Sequence, residues 1–468
     1  FDLPRRKDLG YSMIIGLVLL SVASTLSQTM AFGATLLLFL AIALPVLMLD
    51  YCSRLGVNIS KLERTSFQKI NFRVLPAIFC VILVLGLVMF AVMPRFQGYQ
   101  FRSFPVSTPI ETQGRFDNQA ITNPGYVREG AGGRGAGRGG AAGQGEERGE
   151  NGKLDEEFYY GFGSQMNQNL RGALKPRVVM RVRSQAEGFW RVMAFDRYTG
   201  QGWEVSQNDQ TQTLYRSNWS FRFSLPLPVT LNKTREVVQT YTIVSDLPNL
   251  IPALSEPKEV YFPTQEIAID PERGLRAPVG LGEGLTYSVV SEVPYRDRTR
   301  LQIGSTFLKP PKKSRHLQIP AKIAERIREE TQRILATSEK ELTSTYEQAL
   351  YLGQYLKQRY TIQPDLPLFE PNEDLAEAFL FKYKGGYPDH FSTTLTVMLR
   401  SIGIQSRLVV GFASGEFNPF TGMYIVRNTD AYAMSEIFIP KFGWFTIDPI
   451  PGHELIPPSI EDQQTFSV

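Results

Sequence analysis

The stretch KGGYPDHFSTTLTVMLRSIGI, residues 384–404, decides how the C-terminal third of this chain folds. Two glycines lead into a turn, and Pro388 opens a helix. There its fixed φ suits the first turn, and its missing N–H had no intrahelical partner to lose. Phe391, Leu395, Met398, Leu399 and Ile402 recur at helical spacing, and Gly403 closes the segment. Asp389, His390 and Ser392 crowd the helix start. Residues one and two apart on a helix do not face one another, so they form no local triad.

Outward from this helix the pattern is mixed. Residues 320–360 read as helical, with Pro320 as a first-turn residue and Ile323, Ile327, Ile334, Leu335, Tyr346 and Leu350 on the apolar face. PNEDLAEAFLFKYKGG adds a short helix. After residue 404 come four strand-like runs: SRLVVGFAS, MYIVRN, AYAMSEIFIP and GWFTIDP. The turns NPFTG and PKFG fall between them. A helix on an antiparallel meander is an α+β arrangement. Before it, residues 175–303 show short alternating strands such as RVVMRVRS, EVVQTYTIV and TYSVVSEV, which predict a small all-β domain. Trp190, Tyr198 and Trp203 cluster around its YTGQG turn and read as a core corner.

Three motifs now stand in order. The first is Gly386-Tyr387-Pro388-Asp389-His390-Phe391, followed by Leu399-Arg400 and Gly403-Ile404, with Arg407, Val409 and Gly411. The second is Asp430-Ala431-Tyr432-Ala433-Met434-Ser435-Glu436. The third is Gly443-Trp444 and Asp448-Pro449-Ile450-Pro451-Gly452. Residues 315–455 resemble the transglutaminase-like domain, a papain-like fold of thiol enzymes whose patterns are GYCEHF, DAHAWxE and GWxxxDPTPG. The resemblance implies a nucleophile at position 388, a base at 432 and an orienting carboxylate at 448. Here the first two are Pro388 and Tyr432, and Asp448 alone remains. Proline carries no nucleophile, and a tyrosine of ordinary pKa near 10 is a poor base at neutral pH. His390 matches a histidine of the family pattern. With Asp389, Glu436 and Trp444 it is a candidate pocket or support residue. Ser435 is expected to point away from Tyr432, because strand side chains alternate.

The N-terminal region is different in kind. Residues 11–50 are almost wholly apolar apart from STLSQT at 24–29, and VLPAIFCVILVLGLVMFAVM follows at 74–93. These lengths predict about three membrane-spanning helices, at 10–26, 30–50 and 74–93. Arg5, Arg6 and Lys7, then Arg54, Lys61, Arg64, Lys69 and Arg73, put the start and the 51–73 loop on the cytoplasmic side. Everything after about residue 95 is then periplasmic, extracytoplasmic or lumenal. Residues 96–160, with REGAGGRGAGRGGAAGQGEERGENG, are expected to be a disordered Gly/Arg-rich linker rather than a nucleic-acid tract. The run holds no aromatic residue to stack on a base. The expected order is a membrane region at 1–95, this linker, an all-β domain at 161–305 and a transglutaminase-like domain at 306–468. The resemblance extends to multi-pass bacterial membrane proteins with such an extracytoplasmic domain, and implies further spans on either side.

The chain has two cysteines, Cys52 and Cys80, and three histidines, His316, His390 and His453, without zinc-motif spacing. No cofactor or metal is expected. Net charge of +4 names no partner. The functional expectation is an inactive, membrane-anchored transglutaminase-like subunit that binds or scaffolds a protein or peptide partner. An unconventional peptidase, amidase or acyl transferase is the alternative, and a structural subunit of a membrane complex is the third.

Overall fold

A computed structural model of the protein describes residues 104–111, 114–123, 156–170, 172–227, 234–295, 314–440 and 442–458. Among them no helix is long and apolar enough to cross a membrane. The three expected spans, both cysteines and the Gly/Arg-rich run lie outside the described residues.

Three helices organise the C-terminal part: α1 (Ala321–Leu335), α2 (Thr345–Arg359) and α3 (Pro388–Ser401). The 320–360 stretch is divided because Ser344 caps α2. Its Oγ accepts the Glu347 N–H at 3.2 Å, and the Glu347 carboxylate reaches back to the Thr343 N–H at 2.9 Å. Pro320 is the N-cap of α1, one residue outside the first turn expected for it. Helix α3 is buried from Asp389 to Ser401, on all sides. Its small hydroxyl residues make that possible by bonding what packs on them. Ser392 Oγ donates to the Ala433 carbonyl at 2.8 Å, and Thr396 Oγ1 to Ser435 Oγ at 2.9 Å. Thr393 Oγ1 accepts the Trp203 indole N–H at 3.0 Å.

The strands against α3 are β1 (Trp190–Phe195), β2 (Ser406–Phe412), β3 (Ala431–Ile439) and β4 (Gly443–Ile447). They form an antiparallel sheet in the order β4-β3-β2-β1. On β3 the residues Ala433 and Ser435 face α3. Tyr432 and Met434 face the other way, onto Phe189, Ala194 and Val409.

One expectation is corrected here. The Met423–Arg427 strand does not join this meander. With Glu416–Asn418 it pairs to Val178–Ser184, at one end of a seven-stranded antiparallel sheet. The vacated place beside β2 is taken by β1, from the preceding β-rich region. The two regions therefore exchange strands. The aromatic corner lies at this junction: Trp190, Tyr198 and Trp203 are all buried, and Tyr198 Oη bonds Asp374 at 3.1 Å.

The expected linker is corrected as well. Residues 104–111 and 114–123 lie against the β-rich region. The Ser107 N–H donates to the Thr286 carbonyl at 2.9 Å, and the Thr122 N–H to Asn249 Oδ1 at 2.8 Å. Residues 156–170 also pack, with Tyr159, Phe162 and Met166 in the core. The composition of 130–150 does not extend to these flanks, where aromatic and branched side chains return.

Candidate functional site

The start of α3 opens at the surface. Pro388 is the first helical residue and is exposed, whereas Asp389 and His390 behind it are buried. The approach to it needs glycine: a Cβ on Gly385 would stand 2.0 Å from the Thr361 carbonyl oxygen. His390 is a structural residue. Its Nδ1 accepts the Tyr387 N–H at 3.3 Å, so its Nε2 donates to the Gln168 carbonyl at 3.1 Å. Both ring nitrogens are occupied and the ring is 1% exposed.

Asp389 ties the helix start to two other places. Oδ1 accepts the Ala433 N–H of β3 at 2.8 Å, and Oδ2 accepts the hydroxyls of Tyr159 at 2.6 Å and Tyr160 at 2.5 Å. Burial pushes the carboxyl pKa up, against these hydrogen bonds, which favour the charged form. Neither tyrosine is among the residues that the motifs single out. The only signal for them is an aromatic cluster, EFYYGFG, at the end of a run of glycine and charge.

Tyr432 lies next to Ala433 on β3. Its ring meets Phe189 edge-on at 5.4 Å, and its hydroxyl points to Met434 Sδ at 3.5 Å. Burial, then the Asp448 carboxylate, hold that hydroxyl protonated far above the ordinary tyrosine range. Tyr432 is thus neutral and no base.

Asp448 follows β4 and is buried. Beside Tyr432, whose hydroxyl this carboxylate holds protonated, His453 is in hydrogen-bonding geometry with it. Nδ1 of that imidazole lies 2.8 Å from Asp448 Oδ2, and the ring stands perpendicular to the Tyr432 ring at 5.2 Å. The local sequence explains this. The Ile450 N–H bonds Asp448 Oδ1 at 3.0 Å, and the His453 N–H returns to the Ile450 carbonyl at 3.2 Å. Pro451 and Gly452, with φ +91° at the glycine, are the central residues of a type II turn. Pro388, Asp389, Tyr432 and Asp448 are therefore neighbours through a short chain of contacts, and His453 joins them.

Glu436 and Trp444 belong elsewhere. Four residues along β3 from Tyr432 is roughly 13 Å. There Arg407 Nε donates to Glu436 Oε2 at 2.6 Å, and its Nη1 to Glu272 Oε2 at 2.6 Å. Arg315 and His316 bond the other oxygen of Glu272, at 2.6 and 3.1 Å. The Arg407 guanidinium lies 4.0 Å from the Trp444 ring centre. Glu272, Arg315, His316, Arg407 and Trp444 wall a separate cavity of about 280 Å³. Among the described residues, no three His, Cys, Asp or Glu side chains converge as metal ligands would.

Residues 331–449 match the transglutaminase-like superfamily, and the chain carries a transglutaminase-like domain. Residues 163–298 match the TgpA N-terminal domain. A Bacillus subtilis protein, YebA, is 35% identical over 144 residues, 30% of this chain and 19% of that protein. A protein-glutamine gamma-glutamyltransferase of Pseudomonas aeruginosa is 32% identical over 124 residues, 26% of this chain and 18% of that one. The chain thus aligns with about a fifth of either relative. Among solved structures, the periplasmic domain of TgpA from Pseudomonas aeruginosa aligns at 19% identity and a TM-score of 0.43, over 62% of this chain and 93% of that one. The same domain bound to ethylmercury aligns at 18% and 0.41, over 59% and 90%.

Proposed function

We propose that this protein is a membrane-anchored, extracytoplasmic transglutaminase-like subunit that binds a protein or peptide partner and performs no thiol-based acyl transfer. The observation that carries this is the helix start itself. The exposed side chain there is Pro388, and no residue after Cys80 is a cysteine. A thiol mechanism needs a thiolate at that place, and removing the nucleophile of a cooperative triad costs on the order of 10⁶ in turnover. The activity named for the Pseudomonas relative therefore does not transfer to this chain.

The test is direct. The full chain, purified in detergent, is assayed for amide hydrolysis and for amine incorporation into glutamine-containing peptides. Turnover at background, unchanged by thiol alkylation, is expected. Turnover that disappears in Asp448→Ala while the fold survives would replace this function with the unconventional enzyme. The membrane placement is tested separately. A cysteine introduced at Gly139, in the Gly/Arg-rich run, is expected to react with an impermeant maleimide from outside the cell or from the lumenal side. Labelling from the cytoplasmic side alone would reverse the orientation.

A further inference from the structure

We propose that His453, held by Asp448, is a working proton acceptor beside Tyr432, so that this site lacks a nucleophile but not a base. This goes beyond the binding function above and does not depend on it.

The geometry points one way. With Nδ1 at 2.8 Å from a carboxylate that is 2% exposed, the imidazole places its proton on Nδ1. Nε2 is then the lone-pair nitrogen, and among the described residues it has no hydrogen-bond partner. The His453 side chain is 44% exposed. Asp448 cannot turn away, because its other oxygen is held by the Ile450 N–H. The neutral Tyr432 ring forms one wall of the site. The backbone is pinned as well: Lys357 Nζ, on α2, donates to the His453 carbonyl. A carboxylate-oriented imidazole with one free nitrogen is an arrangement that takes a proton from a bound hydroxyl, thiol or amine.

The other charged groups around His453 are few. Glu454 follows it in sequence, Lys357 lies on α2, and Asp389 stands at the start of α3, near enough to feel the Asp448 charge. Asp448 is the one in contact.

Two measurements on the full chain test the proposal. First, the native protein is treated with diethylpyrocarbonate across pH, and each histidine is followed by peptide mass. His453 is expected to react readily and His390 hardly at all. A His453 that reacts no faster than the buried His390 would mean that its free nitrogen is not accessible, and would overturn the proposal.

Second, a thiol is placed at the helix start by Pro388→Cys, and its alkylation by iodoacetamide is followed across pH by the mass of its peptide. The thiol is expected to titrate at least one unit below the ordinary ~8.5, and to return towards that value when His453→Gln is added. Melting curves identify any variant that fails to fold, and the native-protein arm stands without it. A thiol that titrates identically with and without His453 would also overturn the proposal. Activity of the unmodified chain bears on the binding function alone, so the two can fail separately.

Discussion

At position 388 the chain has a side chain that starts a helix and carries no reactive group. Proline presets φ and so narrows the unfolded ensemble. Pro388→Ala is expected to lower stability by about 0.4–1 kcal/mol, read as a shift in urea midpoint without a change of slope. A larger loss would mean that Pro388 packs rather than presets. Its neighbour is costlier to change. Asp389→Ala removes the acceptor for the Ala433 N–H and for two tyrosine hydroxyls, and a loss of about 2–3 kcal/mol is expected from stranding buried donors. A change below half a kcal/mol would show that these bonds exchange freely with water. Motif order made Pro388, Tyr432 and Asp448 legible as neighbours. His453 was not legible, although its signal is local, because the Pro451-Gly452 turn folds it back over only five residues. Tyr159 and Tyr160 lie about 230 positions from Asp389, and no spacing rule reaches that far.

Among the elements, type was easier to read than partner. Met423–Arg427 is an apolar run closed by an arginine and mostly half-buried, and nothing in five residues says which sheet it joins. Trp190–Phe195 is buried at every position, as befits a strand covered on both faces, yet it sits in a block whose other strands belong to the seven-stranded sheet or to two small three-stranded ones. What binds the sheets at this level is the Glu272 hub. Burial alone would raise the Glu272 pKa; the His316 hydrogen bond and the Arg407 charge more than reverse that, and it falls below its ordinary 4.5. A folded-state pKa below the unfolded value stabilises above the latter and loses that contribution as pH falls. Glu272→Gln is expected to cost about 3–5 kcal/mol at pH 7, since it strands buried arginines. The gap from wild type is expected to narrow as pH drops from about 5 towards 2. A gap constant across that range would refute the buried-charge account.

For the molecule as a whole, strand exchange decides what can stand alone. Division into domains at residues 305 and 306 follows the change of pattern in the sequence, but β1 lies on one side of that cut and its partner β2 on the other. The cut also removes Met423–Arg427 and its hairpin partner from the seven-stranded sheet. A fragment of residues 306–468 would expose the edge of β2, whose seven residues are all buried in the intact chain, and would lose the Trp203 indole and the Glu272 carboxylate from its interior. Such an edge invites pairing between copies. The fragment is therefore expected to aggregate, or to keep far-UV circular dichroism while losing near-UV signal. Residues 104–468 together are expected to unfold in one transition by both probes, because neither region completes its sheet without the other. Cooperative, reversible unfolding of 306–468 alone would show that β1 is dispensable, and would restore the simpler picture of two independent domains.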